Sequence, residues 1–507
     1  MPMRDGGMEI IMKKFISMGL IAATVTSMAV SLAGCKSGEN NNLVWYMLGD
    51  KPADHDAVME KANEIIEPEL GMKLDIEYID GASCAEKMKM KMASGESYDL
   101  AFTGYVNGYQ TAVSLGGLYD ITDLIDNITM KNGDKVKISD VIEDYFLESA
   151  MVNGKIYGVP NTQVVSNPSC LFMLKSVADE CGFDAEGLEK LAYEVKDLDS
   201  TKKYLDALTD ALAKIKKKRP DLYTIVPFTF PGNYAEVLSR VFYIDKSGES
   251  DEIKVLYDIP EYIYSVDTVR KWFEAGYIRN DIASIGTPSS VEDKKQYAVT
   301  VTSWKPGCDV FDAKDFGGDV VYSKREKPYV GRENPLLTMI SVGRNTKHPE
   351  EAVKMIYMMN SNKELYNLIC WGIEGKHYTK IGENTIKQIE DSGYTEVGSK
   401  ACFFGNQFNS YLMEGQPENV WEETKKMNDE AEKFPGFGFI PDTDQYSAEL
   451  ANIANTVSEY KAKIEYGTSA RDEYWDEFKK KLNDAGVEKV REALQEQYDE
   501  FLKNRNK

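Results

Sequence analysis

The chain has 507 residues, with 60 Lys and Arg against 83 Asp and Glu, a formal net charge of −23, and only three histidines. Such acidity excludes nucleic-acid binding, which takes clusters of Lys and Arg for the phosphates, and it works against adsorption to anionic lipid. The length suits two or three domains.

At the start, Lys13 and Lys14 precede an apolar stretch from Phe15 to Val30 that ends in Ser31-Leu32-Ala33-Gly34-Cys35. Positive charge, a short apolar core and small residues at a cleavage point form the order of a secretory signal. The core is broken by Ser and Thr, and it falls short of the roughly 20 apolar residues a membrane span needs. Residues 1–34 therefore read as a signal peptide, with Met12 the expected true start. Residues 35–42 follow as a polar, flexible tether. Six further cysteines, Cys84, Cys170, Cys181, Cys308, Cys370 and Cys402, form no CxxC pair. No structural metal and no cofactor is expected from them. They read as buried thiols, Cys170 and Cys181 being the only tempting bridge.

Leu43-Val-Trp-Tyr-Met-Leu48, closed by Gly49-Asp50, predicts a buried strand. A helix over Asp54–Leu70, a strand over Lys73–Tyr78, a helix over Ala85–Ala93 and a strand over Tyr98–Phe102 follow. This alternation is that of a parallel sheet with helices on its faces. Ligands of such sheets bind beyond the carboxyl ends of the strands, which places Asp50, Phe102 and Tyr105 at a site edge. Helices are predicted over Leu188–Glu194, Thr201–Lys217, Tyr234–Val241 and Ser265–Ala275. Gln296–Thr302 reads as a β-branched strand that runs into Ser303-Trp304-Lys305-Pro306-Gly307. Thr338–Val342 is a strand, and His348–Met359 opens as a helix with Pro and two acids in its first turn. Tyr394–Val397 reads as a strand. From Asp472 to Lys503 an amphipathic pattern is interrupted at Gly486, where two helices are expected to meet.

Several short segments resemble those of the extracellular solute-binding proteins of ABC importers, in the large sugar-binding branch and its lipoprotein subset. They are the lipobox Leu32–Cys35, Trp45-Tyr46-x-x-Gly49-Asp50, Ser94–Thr103, Asn153–Pro160, Tyr297–Gly307, Thr346–Ala352, Trp371–Tyr378 and Phe434–Phe439, followed by the C-terminal helices. The resemblance implies an α/β, two-lobed periplasmic-binding-protein-like fold of type II, with the lobes joined by crossing hinge strands. It implies a first lobe of 43–162 plus 336–376, and a second of 163–335 plus 377–507 carrying the C-terminal helices. It further implies lipidation at Cys35, anchoring on the extracytoplasmic face of the cell membrane, ABC permease subunits as partners, and a small solute, carbohydrate by class, held between the lobes.

A sugar needs flat apolar surface for its C–H faces and planar polar groups for its hydroxyls. Trp304, just past a strand end, is the leading candidate. Tyr46, Asp50, Phe102, Tyr105, Trp371 and Glu374 follow, with His377 and the aromatic run Phe403–Phe408 beside them. Enzyme signatures are missing from the sequence: no HExxH, Gly-x-Ser-x-Gly elbow, Walker loop or dinucleotide fingerprint occurs. Two carboxylates could still serve a glycoside hydrolase, and a surface adhesion or sensory lipoprotein of the same fold is a further alternative to transport.

Overall fold

The computed structural model describes residues 42–104, 108–331, 334–394 and 401–505. The chain begins β1 (Leu43–Leu48), α1 (His55–Leu70), β2 (Leu74–Ile79), α2 (Cys84–Ser94) and β3 (Leu100–Phe102). Helix α1 buries Val58, Met59, Ala62, Ile66 and Leu70, one stripe at three- to four-residue spacing. It stops at Gly71, whose φ of 78° lets its N–H bond back to Glu67. After β4 (Gly158–Pro160) the chain crosses to β5 (Ser169–Leu174). Helices α3 (Ala185–Tyr193) and α4 (Leu198–Lys218) follow, then β6 (Tyr223–Ile225). Asp197 and Ser200 close a capping box at the start of α4, and Lys216, Lys217 and Lys218 offset the negative end of its dipole.

Next come β7 (Tyr234–Leu238), β8 (Phe242–Asp245), β9 (Lys254–Val255) and α5 (Pro260–Glu274). The predicted helix over Tyr234–Val241 is wrong. Tyr234–Leu238 alternates exposed and buried positions as a strand, and Ser239 and Arg240 turn the chain at φ of 56° and 55°. Two consecutive left-handed residues are the turn that matches the twist of a hairpin. The chain continues through β10 (Tyr297–Ser303), α6 (Cys308–Phe316) and β11 (Val320–Lys324), then returns to β12 (Met339–Val342).

Two mixed sheets result. The first has the order β2-β1-β3-β12-β4, with β1, β2 and β3 parallel and β12 antiparallel to both neighbours. The second has the order β11-β5-β10-β6. Each is covered by helices, and the segments between β4 and β5 and between β11 and β12 join them, so the fold is the expected two-lobed α/β architecture.

Helices α7 (Pro349–Ser361) and α8 (Lys363–Trp371) pack on the first sheet's side of the core. The expectation that everything after 376 joins the second lobe is corrected for residues 377–394 and 401–413. His377 bonds Asp54 at 3.1 Å, the Tyr394 hydroxyl donates to the Ile369 carbonyl at 2.9 Å, and Phe404 meets Trp45 edge-on at 5.8 Å. These buried contacts tie the segment to α1, α8 and β1. Tyr394 itself lies outside any strand, and residues 395–397 are outside the described residues.

After α9 (Val420–Glu430), the chain ends in α10 (Ser447–Glu465), α11 (Trp475–Asp484) and α12 (Val487–Arg505). Gly486 separates the last two at φ of 93°, and a Cβ there would stand 2.9 Å from Glu449. This module packs on the β7–β9 region: Tyr257 meets Phe478 at 4.8 Å and the Ile253 N–H donates to Gln495 at 2.7 Å. The six described cysteines are free thiols, so Cys170 and Cys181 are not bridged.

Candidate ligand-binding site

The second sheet presents one end to the crossing segments. There β5 begins, β10 and β11 end, and Trp304 leaves β10 with its N–H donating to the Pro168 carbonyl at 2.9 Å. The indole is half-buried, and Lys324 Nζ lies over it 4.2 Å from the ring centroid. Lys324 is itself held by Glu189, through its backbone N–H at 3.0 Å and its Nζ at 3.3 Å. Gly307 closes the loop at φ of 75°, where a Cβ would come within 2.8 Å of Val420. The Trp304 loop is thereby seated against the start of α9.

Helix α9 fixes the first crossing segment at its other end. Buried Asn428 accepts from the Val165 N–H at 3.1 Å and from the Ser166 hydroxyl at 3.0 Å, and donates to the Gln163 carbonyl at 2.7 Å. The second crossing segment is tied to the first by Asn334, which donates to the Val165 carbonyl at 2.8 Å.

A cavity of about 350 Å³ lies between these segments and β7, lined in part by Asn167, Pro168, Tyr234, Glu236, Glu326 and Asn334. Glu326 takes Lys246 Nζ at 2.7 Å and the Ser169 N–H at 3.3 Å. Burial opposes its charge, but Lys246 and Arg325 beside it hold its carboxyl below the usual range. Lys246 also lies 4.7 Å above the Tyr329 ring, and the Tyr329 hydroxyl is buried without a hydrogen-bond partner. A second cavity of about 550 Å³ shares Lys246, Glu326 and Tyr329 and continues towards Tyr193, Phe230 and Arg325. Aromatic faces beside amides and a carboxylate, in volumes of this size, are the make-up of a site for a hydroxyl-rich ligand.

The residues singled out in the sequence scatter. Trp304 stands at this sheet end. Asp50 is exposed at the end of β1. Tyr46 is engaged by α2: Lys91 Nζ reaches its hydroxyl at 3.1 Å and its ring at 4.4 Å, and Glu96 pairs with Lys91. Phe102 is a core residue, 1% exposed and 4.8 Å from Phe403, because β3 is a central strand covered on both faces. Trp371 is likewise buried, its Nε1 donating to the Ser410 hydroxyl at 2.9 Å. Glu374 is exposed and pairs with Lys380 at 3.4 Å. His377 is a buried clasp, its Nδ1 accepting from the Ile373 N–H at 2.8 Å. Tyr105 and Cys35 lie outside the described residues. Sequence reasoning passed over Lys246, Arg325, Glu326 and Tyr329. The signal for the last three is Lys324-Arg-Glu-Lys-Pro-Tyr329, four charges placed where an apolar strand ends.

Residues 435–503 match a domain of unknown function, DUF3502. A curated relative from Streptococcus pneumoniae serotype 4, a carbohydrate ABC transporter substrate-binding protein, is 29% identical, over 97% of this chain and 100% of its own. The crystal structure of the N-glycan transport solute binding protein NgtS from Streptococcus pneumoniae is 28% identical and superposes with a TM-score of 0.76, covering 92% of this chain and 99% of that one. Over nearly all of its length the chain is similar to solute-binding proteins of ABC importers. NgtS in complex with Man5GlcNAc is also similar, at 28% identity and a TM-score of 0.64, over 91% of this chain and 99% of that one. Solute-binding proteins of this class work outside the cytoplasm. In such a protein the groups at the crossing segments matter more than any reactive constellation, because the task is to hold a solute and release it.

Proposed function

We propose that this solute-binding protein captures an oligosaccharide between its lobes and delivers it to the membrane permease of an ABC importer, without chemically changing it. The observation that carries the reading is the end-to-end likeness to NgtS, a protein of N-glycan transport whose Man5GlcNAc complex shares this fold. The cavities at the crossing segments support it, since they combine Tyr faces with amide and carboxylate groups. In this reading Trp304 stacks on a pyranose ring, and Asp50 and Tyr105 contribute from the first lobe. The lobes meet at residues 161–168, 325–331 and 334–338, where Asn428 and Asn334 brace the backbone. Cys35, after cleavage of residues 1–34, carries the lipid that holds the protein at the cell surface. A screen of the purified protein against a panel of oligosaccharides by thermal shift tests the proposal, because a ligand bound only by the native state raises the melting temperature. A panel without a single stabilising sugar refutes it.

A further inference from the structure

The cavity of about 550 Å³ is cationic in an otherwise acidic protein. Lys196, Lys246, Arg325, Lys327 and Lys433 line it, against the carboxylates of Glu194, Glu326 and Glu432. Most of these cations are already engaged. Lys246 pairs with Glu326 at 2.7 Å, Lys327 pairs with Glu432 at 3.2 Å, and Lys433 lies over the Tyr145 ring at 4.5 Å. Lys196 is exposed at the rim.

Arg325 differs. It is 7% exposed, and among the described residues no carboxylate comes within 4.0 Å of it. Its Nη1 donates to the Ser169 hydroxyl at 3.1 Å, and its Nε is buried with no hydrogen bond of good geometry, the Tyr204 side chain being its polar neighbour. The guanidinium lies 3.7 Å from the Phe228 ring centroid and 5.8 Å from that of Phe230. Burial pulls its proton affinity below the ordinary arginine value, against the opposing pull of Tyr204 and Glu326. Glu326 beside it is already paired with Lys246, so Arg325 has no carboxylate in direct contact, and a buried cation so placed costs free energy unless something compensates it. Aromatic stacking fixes the plane of a guanidinium and leaves its N–H fork for a planar anion, which a carboxylate matches in two parallel hydrogen bonds.

The geometry points to a subsite for a carboxylate-bearing sugar residue in this cavity, with Arg325 as the group that meets the carboxylate. The inference rests on the oligosaccharide reading above and narrows its ligand class to acidic saccharides. Tyr193 and Phe230 supply apolar surface for the sugar ring, and Asn233 supplies an amide for its hydroxyls. The local excess of positive charge steers such a ligand into a protein whose net charge would repel it.

The test compares matched pairs by calorimetric titration: sialyllactose against lactose, and a trigalacturonide against galactotriose. The acidic member of at least one pair should bind at least about tenfold tighter, and its advantage should shrink as salt rises. Arg325→Met keeps the apolar stem and removes the charge. It should weaken the acidic member by about ten- to a hundredfold more than the neutral one, the range for hydrogen bonds to a charged group. Should this variant not fold, the wild-type preference and its salt dependence decide alone. Neutral members binding as tightly as their acidic partners, or equal weakening of both by Arg325→Met, would overturn the subsite and leave the oligosaccharide reading standing. Binding by no saccharide of either kind would sink both.

Discussion

Replacing Trp304 by alanine separates a ligand contact from a packing residue. Lys324 lies over the indole at 4.2 Å, which leaves the ring a single face for a sugar. Stacking a pyranose on that face removes ~100 Å² of apolar surface from water, which at ~25 cal/mol per Å² is ~2.5 kcal/mol. The expected loss of affinity is about thirty- to a hundredfold. The cost to stability is smaller. The indole is only half-buried, and the contact with Lys324 contributes about 0.5–1 kcal/mol at a partly exposed site. Titration calorimetry with the tightest saccharide, run beside a thermal melt, reads both quantities. A folded Trp304→Ala protein with wild-type affinity refutes the stacking role. A melting temperature that collapses while affinity per folded molecule persists shows a packing role instead.

Asn428→Ala should destabilise the protein by about 2–4 kcal/mol in denaturant unfolding, because it leaves buried groups at Gln163, Val165 and Ser166 unpaired. A change below about 0.5 kcal/mol would show that α9 does not brace the crossing segment. Glu326 has a carboxyl held below the usual range, with Lys246 paired to it. Its contribution to stability is therefore present above the unfolded carboxyl value and lost as pH falls through the lower folded value. Glu326→Gln should accordingly flatten the acid limb of the stability curve, and an unchanged limb would contradict the assignment. Cys35→Ser should abolish incorporation of a fatty-acid probe in cells, and equal labelling of variant and wild type would remove the anchor.

Much of the fold was legible because its signals are local. The βαβ alternation from Leu43 to Phe102, the proline-led helix at Pro349 and the break at Gly486 each depend on a few adjacent residues. The hairpin at Tyr234 was not legible as such, since the turn uses Ser239 and Arg240 in left-handed geometry where the usual marker is glycine. Placing Phe102 at a site edge failed for a different reason. A strand end that points to a cleft can still turn its side chain into the core, and Phe403, some 300 positions away in the chain, completes that core. The resemblance places everything after 376 in the second lobe, which fails for residues 377–394 and 401–413. The contacts that hold them, His377 with Asp54 and Phe404 with Trp45, are long-range and carry no sequence pattern. Arg325 is marked in the sequence only by the charge run Lys324–Lys327, and its burial against Phe228 is a matter of tertiary packing.

In the proposed function the protein binds an oligosaccharide reversibly and leaves it intact. Titrating the purified protein with Man5GlcNAc and a panel of other defined oligosaccharides, then recovering the sugar for mass spectrometry, tests it most directly. Saturable one-to-one binding of at least one oligosaccharide is expected, with recovery of that sugar at its original mass. Heat without saturation for every sugar, or recovery of cleaved products, would contradict it.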